Sequence, residues 1–223
     1  MNTVFSRLIN RIISSSLFRK SGIYTFTSII NAGIPLLLLP ILTHKLTPAD
    51  YGIVAMFQLA VSVILPFIGM NLEASITRKY YDRDDTDFSS YVGSCILLIL
   101  CSFILVIGVS WICFDYIKQI IQIPELWIKY IYIVAICQII VNVILAIYQV
   151  KEQPLKYGLL QILQSIFNVG FTIFFIMVMN KTWNGRIEAQ VISGVVFALI
   201  SLIILWKTGL IAIDIKKKIF VTH

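Results

Sequence analysis

The chain has 223 residues, of which 59% are hydrophobic and only 13% charged, and its mean hydropathy is +0.91. Soluble domains carry about 25% charged residues, so this composition excludes a globular water-soluble domain and specifies a polytopic membrane protein. The net charge of +7 reports membrane topology rather than a nucleic-acid partner, because no stripe of Arg and Lys with interleaved aromatics occurs in a polar segment.

Residues 1–20 open the chain as a basic amphipathic segment. Val4, Phe5, Leu8, Ile9, Ile12 and Ile13 fall on one helical face, with Ser6, Arg7, Asn10, Arg11 and Ser14 opposite. That pattern suits a helix lying at the membrane interface. The first 20 residues have no compact apolar stretch followed by small residues, so no cleavable signal is expected. Six apolar runs follow, each near the 20 residues that a helix needs to cross a bilayer core. They are expected at about Gly22–Thr43, Tyr51–Leu72, Tyr91–Phe114, Leu126–Val150, Tyr157–Met179 and Ile187–Trp206. The predicted class is therefore all-α, six transmembrane helices in one bundle over residues 21–206, with a basic tail over 207–223. Glu73–Ser90 is expected to be a polar loop. Tyr51, Tyr91, Trp111, Trp127, Tyr157, Trp183 and Trp206 stand near run ends, where amphipathic rings prefer the headgroup level. With both termini placed in the cytoplasm, 13 of the 18 Lys and Arg residues fall on the inside, which favours that orientation.

Several features could carry chemistry. The first run contains Asn31, Pro35 and Pro40. Proline removes a backbone donor and frees a carbonyl, which in a membrane is tolerated against neighbouring helices or beside a wet cavity. The fifth run carries Gln161, Gln164, Ser165, Asn168 and Thr172 on one face, and the fourth carries Gln138, Asn142 and Gln149 on one face. Amides can join helices by hydrogen bonds or line a hydrated path. Five polar residues aligned on one helix favour the path, and amides and hydroxyls match the hydroxyls of a sugar. The apolar runs carry almost no charge at depth. Lys129 is placed to snorkel to the outer interface, and Arg78 ends the second helix region, where it is either a positive-inside anchor or a contact for an anionic headgroup.

Cys95, Cys101, Cys113 and Cys137 lie in or beside apolar runs with no paired spacing, so they are read as packing residues, with no disulfide or metal site. The acidic cluster Asp82–Asp87 lacks the glycine and closing glutamate of a calcium loop. His44 and His223 are isolated, and no Ser-His-Asp set, phosphate-binding loop or nucleotide fingerprint is present. No cofactor and no enzymatic activity are expected.

Three segments resemble a known family. The first is "PLLLLPILTHKLTPADYGIVAMF", with Pro40, Thr43, Leu46, Pro48, Tyr51 and Gly52. The second is "GMNLEASITRKYYDRDD", with Gly69, Ala74, Arg78 and Tyr80, and the third is "NGRIEAQVISG", with Gly185 and Arg186. In this order and at these helix ends they resemble polysaccharide flippases of the Wzx type, in the multidrug/oligosaccharidyl-lipid/polysaccharide exporter superfamily. The resemblance covers the N-terminal half of that pattern, since members have two six-helix bundles. A second copy or a second bundle is accordingly an expected partner, and polysaccharide polymerase machinery is another. The resemblance implies translocation of an undecaprenyl-pyrophosphate-linked oligosaccharide across the bacterial inner membrane, for O-antigen, capsule or exopolysaccharide synthesis, by alternating access. It implies that Asn31, Gln138, Asn142, Gln161, Gln164 and Asn168 face the glycan and that Arg78 meets the pyrophosphate. An exporter of small cations, which wants an acidic residue at depth, and a non-transporting membrane protein or assembly partner remain the alternatives. A membrane-embedded polymerase or acyltransferase is a weaker one.

Overall fold

A computed structural model describes residues 16–82, 88–114, 116, 118 and 124–210. The N-terminal amphipathic segment and most of the basic tail lie outside these residues. The described chain is helical, with no strand among the described residues. Its elements are α1 (Ser16–Lys45), α2 (Pro48–Gly69), α3 (Leu72–Tyr81), α4 (Phe88–Ile112), α5 (Glu125–Val150), α6 (Pro154–Ile173) and α7 (Trp183–Lys207). A single π-helical turn, Phe174–Val178, extends α6. Six of these helices are long and apolar enough to cross a membrane.

The ends of the helices follow from local chemistry. At the start of α2, Thr47 and Asp50 form a reciprocal capping box. The Asp50 amide donates to Thr47 Oγ1 at 3.2 Å, and the Thr47 amide donates to Asp50 Oδ2 at 3.1 Å. Pro48 takes the first helical position, where its missing N–H is no loss. The "T-P-A-D" of the first family-like segment is thus a helix start, which explains the tight hairpin of α1 and α2. At the other end of α2, Met70 (φ 43°) and Asn71 (φ 55°) both adopt the left-handed conformation and break the helix. The chain turns there into α3.

The expectation of a polar loop over Glu73–Ser90 is corrected in part. Leu72–Tyr81 is a helix, and α4 begins at Phe88. One apolar side chain decides this: Ile76 is fully buried, and α3 packs on α5 and α4. The short helix is too polar to register as an apolar run, yet it has one face to bury. The sixth run also begins earlier than hydropathy suggests, at Trp183 rather than Ile187.

The centre of the bundle is α5. Fourteen of its residues are buried, including Ile131, Ala135, Ile139, Ile144 and Ile147. It packs against α7, α2, α3 and α6. The α4 helix, by contrast, packs on α2 and α3, and turns Ile104, Leu105 and Trp111 outward. In lipid those apolar faces need no protein partner. On the other flank, α1 packs mainly on α6 and touches α2 only slightly. Gly158 makes the α1–α6 contact close, since a Cβ there would fall 2.5 Å from Thr27 Oγ1. Tyr24 stacks edge-on against Tyr157 at 5.2 Å, and Lys20 pairs with Glu152 at 2.5 Å. Cys95 and Cys137 are buried in the bundle, whereas Cys101 and Cys113 are exposed on it.

Candidate functional site: an amide-lined cavity at mid-depth

Five of the six long helices enclose a cavity of about 310 Å³ near the middle of the bundle. The amide stripes of the sequence meet here. Asn31 comes from α1, Gln138 and Asn142 from α5, and Gln161, Gln164 and Asn168 from α6. These residues sit near the midpoints of helices that are long enough to span, so the cavity lies at membrane depth. Pro35 also lines it, one turn along from Asn31. The proline of the first helix therefore borders a polar space, the setting in which a freed carbonyl is tolerated.

The wall contains three polar residues that reading by stripes did not select. Gln58 of α2 and Gln190 of α7 face each other across it. Gln58 Nε2 donates to Gln190 Oε1, and Gln190 Nε2 returns a bond to Gln58 Oε1 at 3.4 Å. The third is Arg186, the one charged residue in the wall among the described residues. Its guanidinium donates to Asn168 Oδ1 and, at 3.1 Å, to Thr172 Oγ1. Both acceptors are neutral. Thr172 is fully buried and in turn donates to the Asn168 carbonyl at 2.7 Å.

Local structure explains how Arg186 reaches the cavity. The π turn closes with the Met179 amide donating to the Phe174 carbonyl at 3.2 Å. Lys181 then lies over the Phe175 ring, 5.1 Å from its centroid, and pairs with Glu188. Gly185 allows the first turn of α7 to press on this segment, because a Cβ would come within 3.0 Å of Phe175 Cβ and Lys181 Cβ. Arg186 is thereby held against α6 rather than left in a loop. The spacing was available in the sequence: Arg186, Gln190 and Gly194 are four apart and share one helical face. Starting the helix at Ile187 hid it.

The remaining polar contacts join helices. Ser165 Oγ donates to Asn31 Oδ1, tying α6 to α1. Ser193 Oγ donates to the Gln164 carbonyl at 3.3 Å, tying α7 to α6. Arg78 is in a different place. It is exposed in the last turn of α3 and is not part of the cavity wall. Gln149 is also absent from this wall and lines a separate space near the end of α5.

A helical bundle with six helices long and apolar enough to cross a membrane and a polar cavity at mid-depth among them defines a class: multi-pass membrane proteins with a polar compartment between their helices. Comparison with known proteins narrows it. The chain belongs to the family of polysaccharide biosynthesis proteins, whose family model matches residues 17–222. This is the flippase family that the three sequence segments resembled. The chain is also similar to an uncharacterized membrane protein of Haemophilus influenzae (strain ATCC 51907 / DSM 11121 / KW20 / Rd), with 28% identity over 190 residues. That match covers 85% of this chain and 45% of the relative, so the chain spans less than half of the relative's length. No solved structure matches.

Proposed function

We propose that the cavity carries the saccharide part of a lipid-linked oligosaccharide, so that the protein translocates such molecules across the bacterial inner membrane. The observation that supports this most is the composition of the wall. Six amides from three helices, joined by the Gln58–Gln190 pair, enclose about 310 Å³ at membrane depth with one cation and no carboxylate among the described residues. Amides both donate and accept, which suits hydroxyl-rich rings and does not suit a small organic cation. The family of the chain agrees with this choice.

In this reading both termini are cytoplasmic, following the distribution of Lys and Arg, and the α5–α6 turn at Lys151 faces the cytoplasm. The lipid tail stays in the bilayer while the sugar crosses in water. The undecaprenyl pyrophosphate enters at the Lys151 end, where Arg78 is exposed and available to its phosphates. A second six-helix bundle or a second copy of this chain completes the compartment, and alternating access rocks one bundle against the other. The driving force is an ion gradient or mass action.

Deletion of the gene in its host and re-expression of variants tests the proposal. Surface polysaccharide is expected to disappear on deletion, return with the wild-type protein, and fall at least tenfold with the double substitution Gln164→Leu/Asn168→Leu at unchanged protein level. Full export by that variant would overturn the assignment of the cavity.

A further inference from the structure

A second cavity, of about 340 Å³, opens at the Lys151 end of the bundle between α3, α5 and α6. The left-handed pair Met70 and Asn71 places the first turn of α3 along its side. Glu73 and Thr77 line it from α3, Gln149 from α5 and Tyr157 from α6. Asn142, Leu145 and Gln161 line both this vestibule and the central cavity, so the two spaces adjoin at these residues.

Two polar side chains of the vestibule wall have unused acceptor capacity. Gln161 Oε1 is buried without a hydrogen-bond partner. The Glu73 carboxylate pairs with no cation among the described residues, and only its backbone carbonyl is engaged, by Thr77 Oγ1 at 2.9 Å. A buried acceptor without a donor is costly, so Gln161 Oε1 suits an occupant that supplies a hydrogen-bond donor, and the half-buried Glu73 carboxylate is free to accept further donors from it. Amide and hydroxyl groups both donate and accept, whereas a carboxylate only accepts. Vicinal hydroxyls on a sugar ring can donate in parallel to the two carboxylate oxygens, and such charge-assisted bonds are the strong ones. An acidic sugar would meet Glu73 with like charge. A bare monovalent cation would fill little of the space, which falls in the size range of small-molecule pockets, about 300–1000 Å³.

We propose that the vestibule is a second saccharide subsite, selective for an uncharged hexopyranose portion of the substrate, with Glu73 as its specificity-determining residue. The proposal rests on the reading of the central cavity as a glycan path. The two subsites act in series: the sugar nearest the vestibule is read for the absence of negative charge before the glycan passes Asn142 and Gln161.

Equilibrium binding of methyl hexopyranosides and methyl hexuronosides to the full chain in lipid nanodiscs tests it, with sodium chloride alone as a third probe. The wild-type protein is expected to prefer the neutral glycoside at least tenfold. Glu73→Gln is expected to weaken neutral binding and to remove the discrimination, so that the uronoside binds as well as the neutral sugar. A loss of packing would weaken both ligands without levelling them. Retained discrimination in Glu73→Gln overturns the proposal. So does a sodium-dependent stabilisation of the wild type that Glu73→Gln abolishes, which would make the vestibule a cation site. Export in the deletion host separates the two readings. If Gln164→Leu/Asn168→Leu blocks export while Glu73→Gln changes neither export nor sugar preference, the subsite is wrong and the glycan path stands. If neither variant affects export, the glycan path itself is wrong.

Discussion

Replacing Gln58 by Leu asks whether the centre of this bundle is wet. Gln58 and Gln190 satisfy each other across the cavity. If the surroundings were dry, Gln58→Leu would strand the Gln190 amide and destabilise the protein by about 1–3 kcal/mol. The reciprocal Gln190→Leu would do the same, and the double variant would recover most of the loss, because removing both partners leaves nothing unpaired. The cavity, however, has room for about ten waters at roughly 30 Å³ each. Water can then take over either amide. Each single substitution is expected to cost less than about 1 kcal/mol, with a coupling energy at or below the roughly 0.6 kcal/mol average measured between membrane helices. Unfolding of the four members of the cycle in mild detergent by a graded denaturant gives these numbers, and export measured on the same variants gives the functional counterpart. Export should fall in both single variants and stay low in the double. A coupling energy above about 1.7 kcal/mol, together with restored export in the double variant, would show a dry interhelical clasp and refute the reasoning.

Other substitutions probe the supports of the site. Arg186→Lys keeps the charge but withdraws the longer side chain whose Nη1 donates to both Asn168 and Thr172. Export is expected to drop about tenfold, because Arg and Lys are not interchangeable cations, and Arg186→Leu to drop it further, with protein levels checked by immunoblot. Gly158→Val forces side-chain atoms onto Thr27 and should destabilise the α1–α6 contact by about 1–3 kcal/mol, read as a lower midpoint in thermal unfolding. Thr47→Val removes the side-chain cap of α2 and should cost about 1 kcal/mol in the same assay.

The class of the protein and the number of spanning helices were legible because apolar runs of bilayer length have few other meanings. The amide stripes were legible for a related reason: polar side chains in such runs are few, and helical spacing sorts them onto faces. Other residues left no such trace. Gln58 stands alone on α2, so no stripe announces its facing partner on α7. Arg186 lies in the first turn of its helix, where hydropathy cannot separate a loop cation from a cavity cation. Only the close approach at Gly185 settles its place. α3 was hidden because a ten-residue helix with one buried isoleucine has no apolar run to detect. The central position of α5 is a tertiary fact. Its sequence is apolar on nearly every side, which is the pattern of a helix with protein neighbours all round, but α4 is as apolar and faces lipid. What differs is Gln138, Asn142 and Gln149, which give α5 a reason to be inside.

The most direct test of the central claim is cysteine accessibility. In a protein whose native Cys95, Cys101, Cys113 and Cys137 are replaced by Ala, Gln164→Cys places a thiol on the cavity wall, and Leu163→Cys places one on the exposed outer face of the same helix. In intact membranes a small water-soluble thiol reagent is expected to label Gln164→Cys and spare Leu163→Cys, with lipid-linked oligosaccharide slowing the reaction at Gln164→Cys. Equal inertness of the two thiols, or labelling at Gln164→Cys that the oligosaccharide leaves unchanged, would contradict a hydrated glycan path.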